Sequence, residues 1–326
     1  MPMEHKEIGG YFQFGLSDSG QFPYSQALKY HSARSAFYDL LQNSQIEKIW
    51  MPKFICDSMI EPLTLLRIII YFYDLNSDFY PIIPEQLKDN EYLFYVNYFG
   101  VCTSIQKKLL QHYESEKIIF DHSQAFFVEP FHCFATIYSP RKFFPVAEGG
   151  LLVTSNKIVE NYHVRTIDEM VQQYQHSLTR RVSNAAQGYN IFKVNENNFN
   201  GCLPKKMSAI TEDILTSLDY SNLKKRRLDN FKFLHEKLEN FNFLKFDFNA
   251  IESPLTYPFL CSKGISDFLI QSKIYTPTYW SDSLARISME GFEHKLIFDM
   301  SHLICDQRYG LNEMQHQIDI VKDYLG

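Results

Sequence analysis

The sequence predicts an α/β fold: a large domain with a mostly parallel, mixed sheet flanked by helices, then a smaller C-terminal α+β domain. Three observations carry this. Strand-like and helix-like segments alternate through about the first 155 residues, the pattern of successive strand–helix–strand units. Several of the strand-like runs are apolar throughout, as strands covered on both faces are. After that point helical periodicity dominates, and short strands return only near the C-terminus.

"ALKYHSARSAFYDLLQ" (27–42) reads as a loop entering an amphipathic helix. "KIWMP" is a short strand closed by Pro52, and "ICDSMIEPLTLL" is helical in pattern. "IIIYFYD" is a β-branched and aromatic strand ending at Asp74,. "EYLFYVNYFG" is a strand running into a glycine loop. "IQKKLLQHYESE" places Ile105, Leu109, Leu110 and Tyr113 at helical spacing,. "KIIFD", "CFATIYS" and "GGLLVTS" are three further strands. Residues 156–178 read as mainly helical and the asparagine-rich 190–201 as loop. The stretch 208–241 reads as one long helical segment, with Ile210, Ile214, Leu215, Leu218 and Leu223 on a buried face. "NEMQHQIDIVKDYLG" closes the chain as a helix. The expected boundaries are 20–220 for the large domain and 221–326 for the small one. Residues 1–19 are expected to pack on the small domain or at a dimer interface.

The 326 residues are 45% apolar and include 28 Phe and 21 Tyr, which disfavours disorder,. A net charge of -6 argues against nucleic acid or an anionic membrane as the main partner,. "MPMEHKEIGG" lacks the apolar core of a secretory signal, and Arg67 interrupts the longest apolar run,. The six cysteines are dispersed with no CxxC, which suits a reducing cytoplasm rather than a disulfide framework,. The eleven histidines show no paired metal-binding spacing, so no metal is expected,.

In sheets of this kind ligands sit beyond the carboxyl ends of the strands. Asp121, His122, Ser123 and Gln124 follow one strand; Ser139 and Lys142 follow another; "HSARSA" opens a helix. Taken singly, each has an ordinary reading: a capping aspartate, a surface lysine, a serine-capped helix. Together they suit pyridoxal phosphate. The lysine amine forms a Schiff base with its aldehyde. The aspartate keeps the pyridine nitrogen protonated. The helix N-terminus, with a serine hydroxyl, receives the phosphate.

These segments resemble those of the DegT/StrS-type sugar aminotransferases, of fold type I. "SARSAFYDLL" is similar to that family's phosphate-binding helix entry, and "IIFDHSQAF" to its Asp-x-x-Gln signature. "YSPRKFFPVAEGGLLVT" resembles the Ser-x-x-Lys segment before a Gly-Gly pair. "IGGYFQF", "MPKFICDSMIEPL" and "NYFG" resemble segments nearer the N-terminus. "KMSAITEDILTSLDYSNLKKRR" and "CDQRYGLNEMQHQI" resemble the interdomain helix and the closing segment. The resemblance implies that Lys142 and Asp121 are catalytic. It implies that Gln124, Ser139, Ala33, Arg34, His122 and Lys206 join them around the cofactor. It also implies a homodimer with shared active sites and amine transfer from glutamate to a keto-sugar, nucleotide-linked, by a ping-pong Schiff-base route.

The chain departs from the family pattern in places. Phe120 stands where an acid precedes Asp121, and His122 replaces a small residue and is expected to crowd or stack on the cofactor. Ala33–Arg34 replaces Gly-Thr or Gly-Ser; Arg34 either pairs with the phosphate or lies on the helix surface. Lys206 follows a Pro-Lys where the family carries Asn-x-Arg, and Cys56 stands where an aromatic stacks on the ring. Tyr279 and Trp280 are candidates for a sugar-facing wall or for core. The alternatives are a non-catalytic, scaffold or regulatory homologue, or a sugar dehydratase, in which histidine replaces the lysine.

Overall fold

The computed structural model describes residues 16–159, 162, 163, 165–199, 201 and 203–326. The "IGGYFQF" segment therefore lies outside the described residues, with most of 1–19.

The first half runs β1 (Leu28–Tyr30), α1 (Ala33–Gln42), β2 (Lys48–Pro52), α2 (Asp57–Leu65), β3 (Ile69–Tyr73), β4 (Glu91–Val96), α3 (Thr103–His112), β5 (Ile118–Asp121), β6 (Ala135–Tyr138) and β7 (Gly150–Thr154). The seven strands form one sheet in the order β1-β7-β6-β5-β4-β2-β3. The β3–β2–β4–β5–β6 run is parallel; β7 is antiparallel to both β6 and β1. β5 and β6 are buried along their whole length, which explains why their sequences are apolar apart from Asp121 and Thr136,. β1 falls inside the stretch expected to be loop. It is only three residues long and pairs with β7 alone within the sheet, too short for a periodic signal.

The second half runs α4 (Ile167–Val182), α5 (Ala185–Asn197), α6 (Ala209–Thr216), α7 (Tyr220–Leu238), β8 (Tyr257–Leu260), α8 (Ser266–Gln271), α9 (Phe292–Phe298), β9 (Met300–Leu303) and α10 (Leu311–Leu325). β8 and β9 pair antiparallel as a separate two-stranded sheet. α5 occupies most of the segment expected to be loop. Its asparagines act as helix punctuation and cross-helix ties. Asn184 caps it by accepting from Gln187 N at 3.0 Å,. Asn195 turns inward and donates to the carbonyls of Gln172 and Gln173 on α4. The expected long helix over 208–241 is two helices, because Asp219 starts a new cap by accepting from Asn222 N at 3.0 Å.

One apolar core runs from the large sheet into the C-terminal elements, joining Ile49, Phe94 and Ile119 to Phe231, Tyr257 and Met314. A second cluster gathers Tyr24, Phe126, Tyr138, Phe143, Phe144 and Tyr220. Leu215 is buried in it, and Ile214, Leu218 and Leu223 pack against it; Ile210 does not. No helix among the described residues is long and apolar enough to cross a membrane.

Candidate active site

Asp121 closes β5 and Lys142 closes the single 3-10 turn Pro140–Lys142 that follows β6. β5 and β6 are parallel neighbours, with Asp121 opposite Ile137, so both residues leave the sheet at the same edge. Asp121 is buried and its Oδ1 accepts from Ser123 N at 2.7 Å. The Lys142 turn is held by its backbone N–H on Ser139 O at 3.2 Å and by Phe143 N on Pro140 O at 2.9 Å. The two phenylalanines after Lys142 are buried in the aromatic cluster; Phe144 meets Phe126 edge-to-face at 4.6 Å,. They anchor the turn and leave the lysine at its rim.

The third wall is the first turn of α1. Ser32 caps it by accepting from Ser35 N at 3.1 Å. This turn lies directly against the Gly149–Gly150 pair. Gly149 N donates to His31 O at 2.8 Å. A Cβ on Gly150 would fall 2.2 Å from the Ser32 carbonyl, so only glycine permits the approach,. The "HSARSA" and "AEGG" segments are therefore one structural unit.

Together these elements enclose a cavity of about 60 Å³. Ser32, Ala33 and Arg34 line it from α1, Asp121 and Ser123 from β5, and Ser139 and Lys142 from the turn after β6. Cys56, at the start of α2, also faces it, its sulfur accepting from Ser58 Oγ at 2.9 Å. Burial is the main influence on the Lys142 amine and holds it below the ordinary 10.5; Arg141 adds to this, while Asp121, Cys56 and Glu196 oppose it,. Burial likewise raises the Asp121 carboxyl above its ordinary value, opposed first by Lys142 and then by hydrogen bonds from Ser123,.

The outer side is covered. Arg141 forms a bidentate ion pair with Glu196 at 2.5 and 3.0 Å,. Its guanidinium lies over the Phe199 ring at 4.7 Å, and Phe199 stacks on His31 at 5.7 Å. Arg34 donates to Glu61 at 2.8 Å and to the Phe199 carbonyl at 3.0 Å. It therefore sits in the cavity wall with its charge already engaged by a carboxylate. Trp280 lines the cavity, and Tyr279 lies in an adjacent groove.

Asp121, Lys142, Ser139, Ala33 and Arg34 thus converge on one cavity. His122, Gln124 and Lys206 do not line it. His122 points into the core, between Gln106 and the Val128 carbonyl. Burial lowers its pKa to about 3, so it is neutral there. Gln124 accepts from Phe99 N at 2.8 Å. Lys206 is exposed, beside β1. Sequence reasoning missed Glu61, Glu196 and Phe199. Glu61 gave no signal beyond an ordinary helix carboxylate, and the other two fall in or next to the asparagine-rich stretch.

No protein-family model matches this chain, and no curated protein matches it in sequence. Solved structures do. A DegT DnrJ EryC1 StrS aminotransferase from Brucella abortus is 12% identical over 92% of this chain and 86% of its own, with a TM-score of 0.63. Helicobacter pylori PseC, an aminotransferase involved in the biosynthesis of pseudoaminic acid, is 16% identical over 91% and 86%, with a TM-score of 0.59. The GDP-4-keto-6-deoxy-D-mannose-3-dehydratase of E. coli, with bound hydrated pyridoxal phosphate, is 14% identical over 90% and 87%, with a TM-score of 0.60. The chain has the fold of these sugar-modifying enzymes.

Proposed function

We propose that this chain is a pyridoxal-phosphate-dependent aminotransferase that moves an amino group from glutamate to a keto-sugar, nucleotide-linked, in two half-reactions at one cavity. The observation that carries the reading is the convergence of a depressed lysine, a buried aspartate and a helix N-terminus on that cavity.

The donor set fits the cofactor. Asp121 would hold the pyridine nitrogen, Lys142 the aldehyde carbon, and Ser139 with the α1 amide groups the phosphate. When bound, pyridoxal phosphate supplies an electron sink for the carbon bearing the amine. Lys142 then acts on the proton at that carbon as a general base and acid. It must be neutral to do so, and burial favours the neutral amine,. Asp121 must be charged, and Lys142 and Ser123 counter part of the burial that opposes this. A cavity of about 60 Å³ is well below the ~300 Å³ or more of an ordinary ligand site,. Admission of the cofactor therefore requires the cover at Glu196 and Phe199 to swing outward.

Residues 20–220 form the cofactor-binding domain and 221–326 the small domain in this reading, and the protein works in the cytoplasm as a homodimer. Support for a second copy comes from α4. Ile167, Val171, Leu178 and Val182 are 58% to 85% exposed and share one face of the helix,. Lys206, exposed in its own chain, is then available to the neighbouring site.

The small cavity and the engagement of Arg34 by Glu61 favour a second reading, a non-catalytic homologue that keeps the fold. Spectra separate the two. The enzyme reading expects a visible absorbance band when pyridoxal phosphate is added, absent in Lys142→Ala and bleached by glutamate. No band under saturating cofactor would sink it; a band that glutamate leaves untouched would favour the non-catalytic reading.

A further inference from the structure

The Lys142 turn lies outside the sheet, and its far side is tied to the C-terminal elements. Arg227 on α7 is 1% exposed and has no carboxylate partner among the described residues. A buried charge is tolerated only when its hydrogen bonds are met. Here Nη1 donates to the carbonyls of Pro254 at 3.1 Å and Leu255 at 2.8 Å. Nε and Nη2 donate to Gln307 Oε1 at 3.1 and 2.6 Å. The guanidinium lies 4.7 Å from the centre of the Phe143 ring. With its oxygen taken, Gln307 donates from Nε2 to the Phe143 carbonyl at 2.5 Å, one residue past Lys142.

The same guanidinium reaches the aspartate side. Leu255 N donates to Phe99 O, and Phe99 N to Gln124 Oε1, each at 2.8 Å. Gln124 lies three residues beyond Asp121. Phe99 is left-handed at φ 56°, and a Cβ on Gly100 would come within 2.8 Å of Pro254 Cα. The loops are therefore interlocked with little slack.

We propose that Arg227 and Gln307 are a positioning pair that fixes the Lys142 turn relative to Asp121. This rests on Lys142 being the reactive amine. An amide suits the task because it accepts from the guanidinium and donates to a carbonyl at once. A carboxylate accepts only.

Gln307→Glu keeps the size and the Arg227 contact but removes the donor to Phe143. The readout is the pH dependence of Lys142 acetylation by acetic anhydride in the cofactor-free protein, followed by peptide mass spectrometry. Asp121, Cys56, Arg141 and Glu196, the groups that act on the amine, are all retained. A turn released toward water should move the Lys142 titration up by about one unit, roughly tenfold less neutral amine at any pH below both midpoints, with little change in Tm. Gln307→Asn, too short to span both partners, adds no charge. A matching shift there separates release of the turn from the effect of the new carboxylate, and it decides the matter if Q307E does not fold. Folded Q307E or Q307N with the wild-type Lys142 titration overturns the proposal. Because no cofactor is used, failure to bind pyridoxal phosphate would count against the proposed function and leave this measurement standing.

Discussion

The two sides of the candidate site are built differently. The Asp121–Lys142 side stands on adjacent, fully buried parallel strands, backed by an aromatic cluster. The α1 side is a capped helix N-terminus whose one cation is held by Glu61, under a cover made by Glu196 and Phe199 from the end of α5. On the proposed function the first side is preorganised for proton transfer. The second must rearrange before anything as large as the cofactor fits. In the proposed reading the sheet fixes the chemistry, and the cover at Glu196 and Phe199 sets access.

Substitutions can break that contrast, beginning where the effect is largest. Lys142→Ala removes the amine and should cut transamination by roughly a thousandfold or more in a coupled glutamate assay, within the usual range for a lost acid–base group or beyond it. Asp121→Asn keeps the shape and removes the charge; turnover should fall by about a hundredfold while the visible band survives at a shifted wavelength. Phe144→Ala tests the backing of the turn. Loss of a buried phenylalanine costs about 3–5 kcal/mol, read as a drop in the urea midpoint at unchanged slope.

Access should respond in the opposite direction. Phe199→Ala should admit pyridoxal phosphate several-fold faster, measured by stopped-flow absorbance, at a cost in stability like that of Phe144→Ala, since Phe199 is also buried,. An unchanged association rate would show that the cover does not limit entry.

The smallest effect concerns pH. Lys142 titrates below 10.5 when folded, so the unfolded chain binds more protons between the folded value and 10.5. Stability from this group therefore rises with pH across that window and is lowest below it. Lys142→Met should raise the Tm of the cofactor-free protein at neutral pH, and the gain should shrink as pH approaches 10.5. A gain that grows with pH would contradict the burial of the amine.

Much of the lysine side was legible in the sequence for a physical reason. Continuous apolar runs such as "KIIFD" and "FATIY" mark buried strands, and polar residues just past their ends fall at the sheet edge where ligands bind,. The α1 side was half legible. Ser32 before an amphipathic run signals a cap, and the Gly149–Gly150 pair signals close backbone approach, but nothing local says that the two meet. Their contact joins residues more than a hundred positions apart. Glu61, Glu196 and Phe199 were illegible, because an ion pair across the fold leaves no periodicity behind. His122 and Gln124 misled for the converse reason. A residue two or three positions past a catalytic candidate need not face the same way. In this chain one satisfies the core and the other braces the Phe99 loop.

The central claim is that Lys142 is the amine presented to the cofactor opposite Asp121. Borohydride reduction of the protein in pyridoxal phosphate, followed by peptide mass spectrometry, tests it directly. The account predicts the phosphopyridoxyl mass on the peptide carrying Lys142, in near-stoichiometric yield, and its loss from that peptide after Lys142→Ala. Label spread over exposed lysines such as Lys206, with Lys142 unmodified, would contradict it.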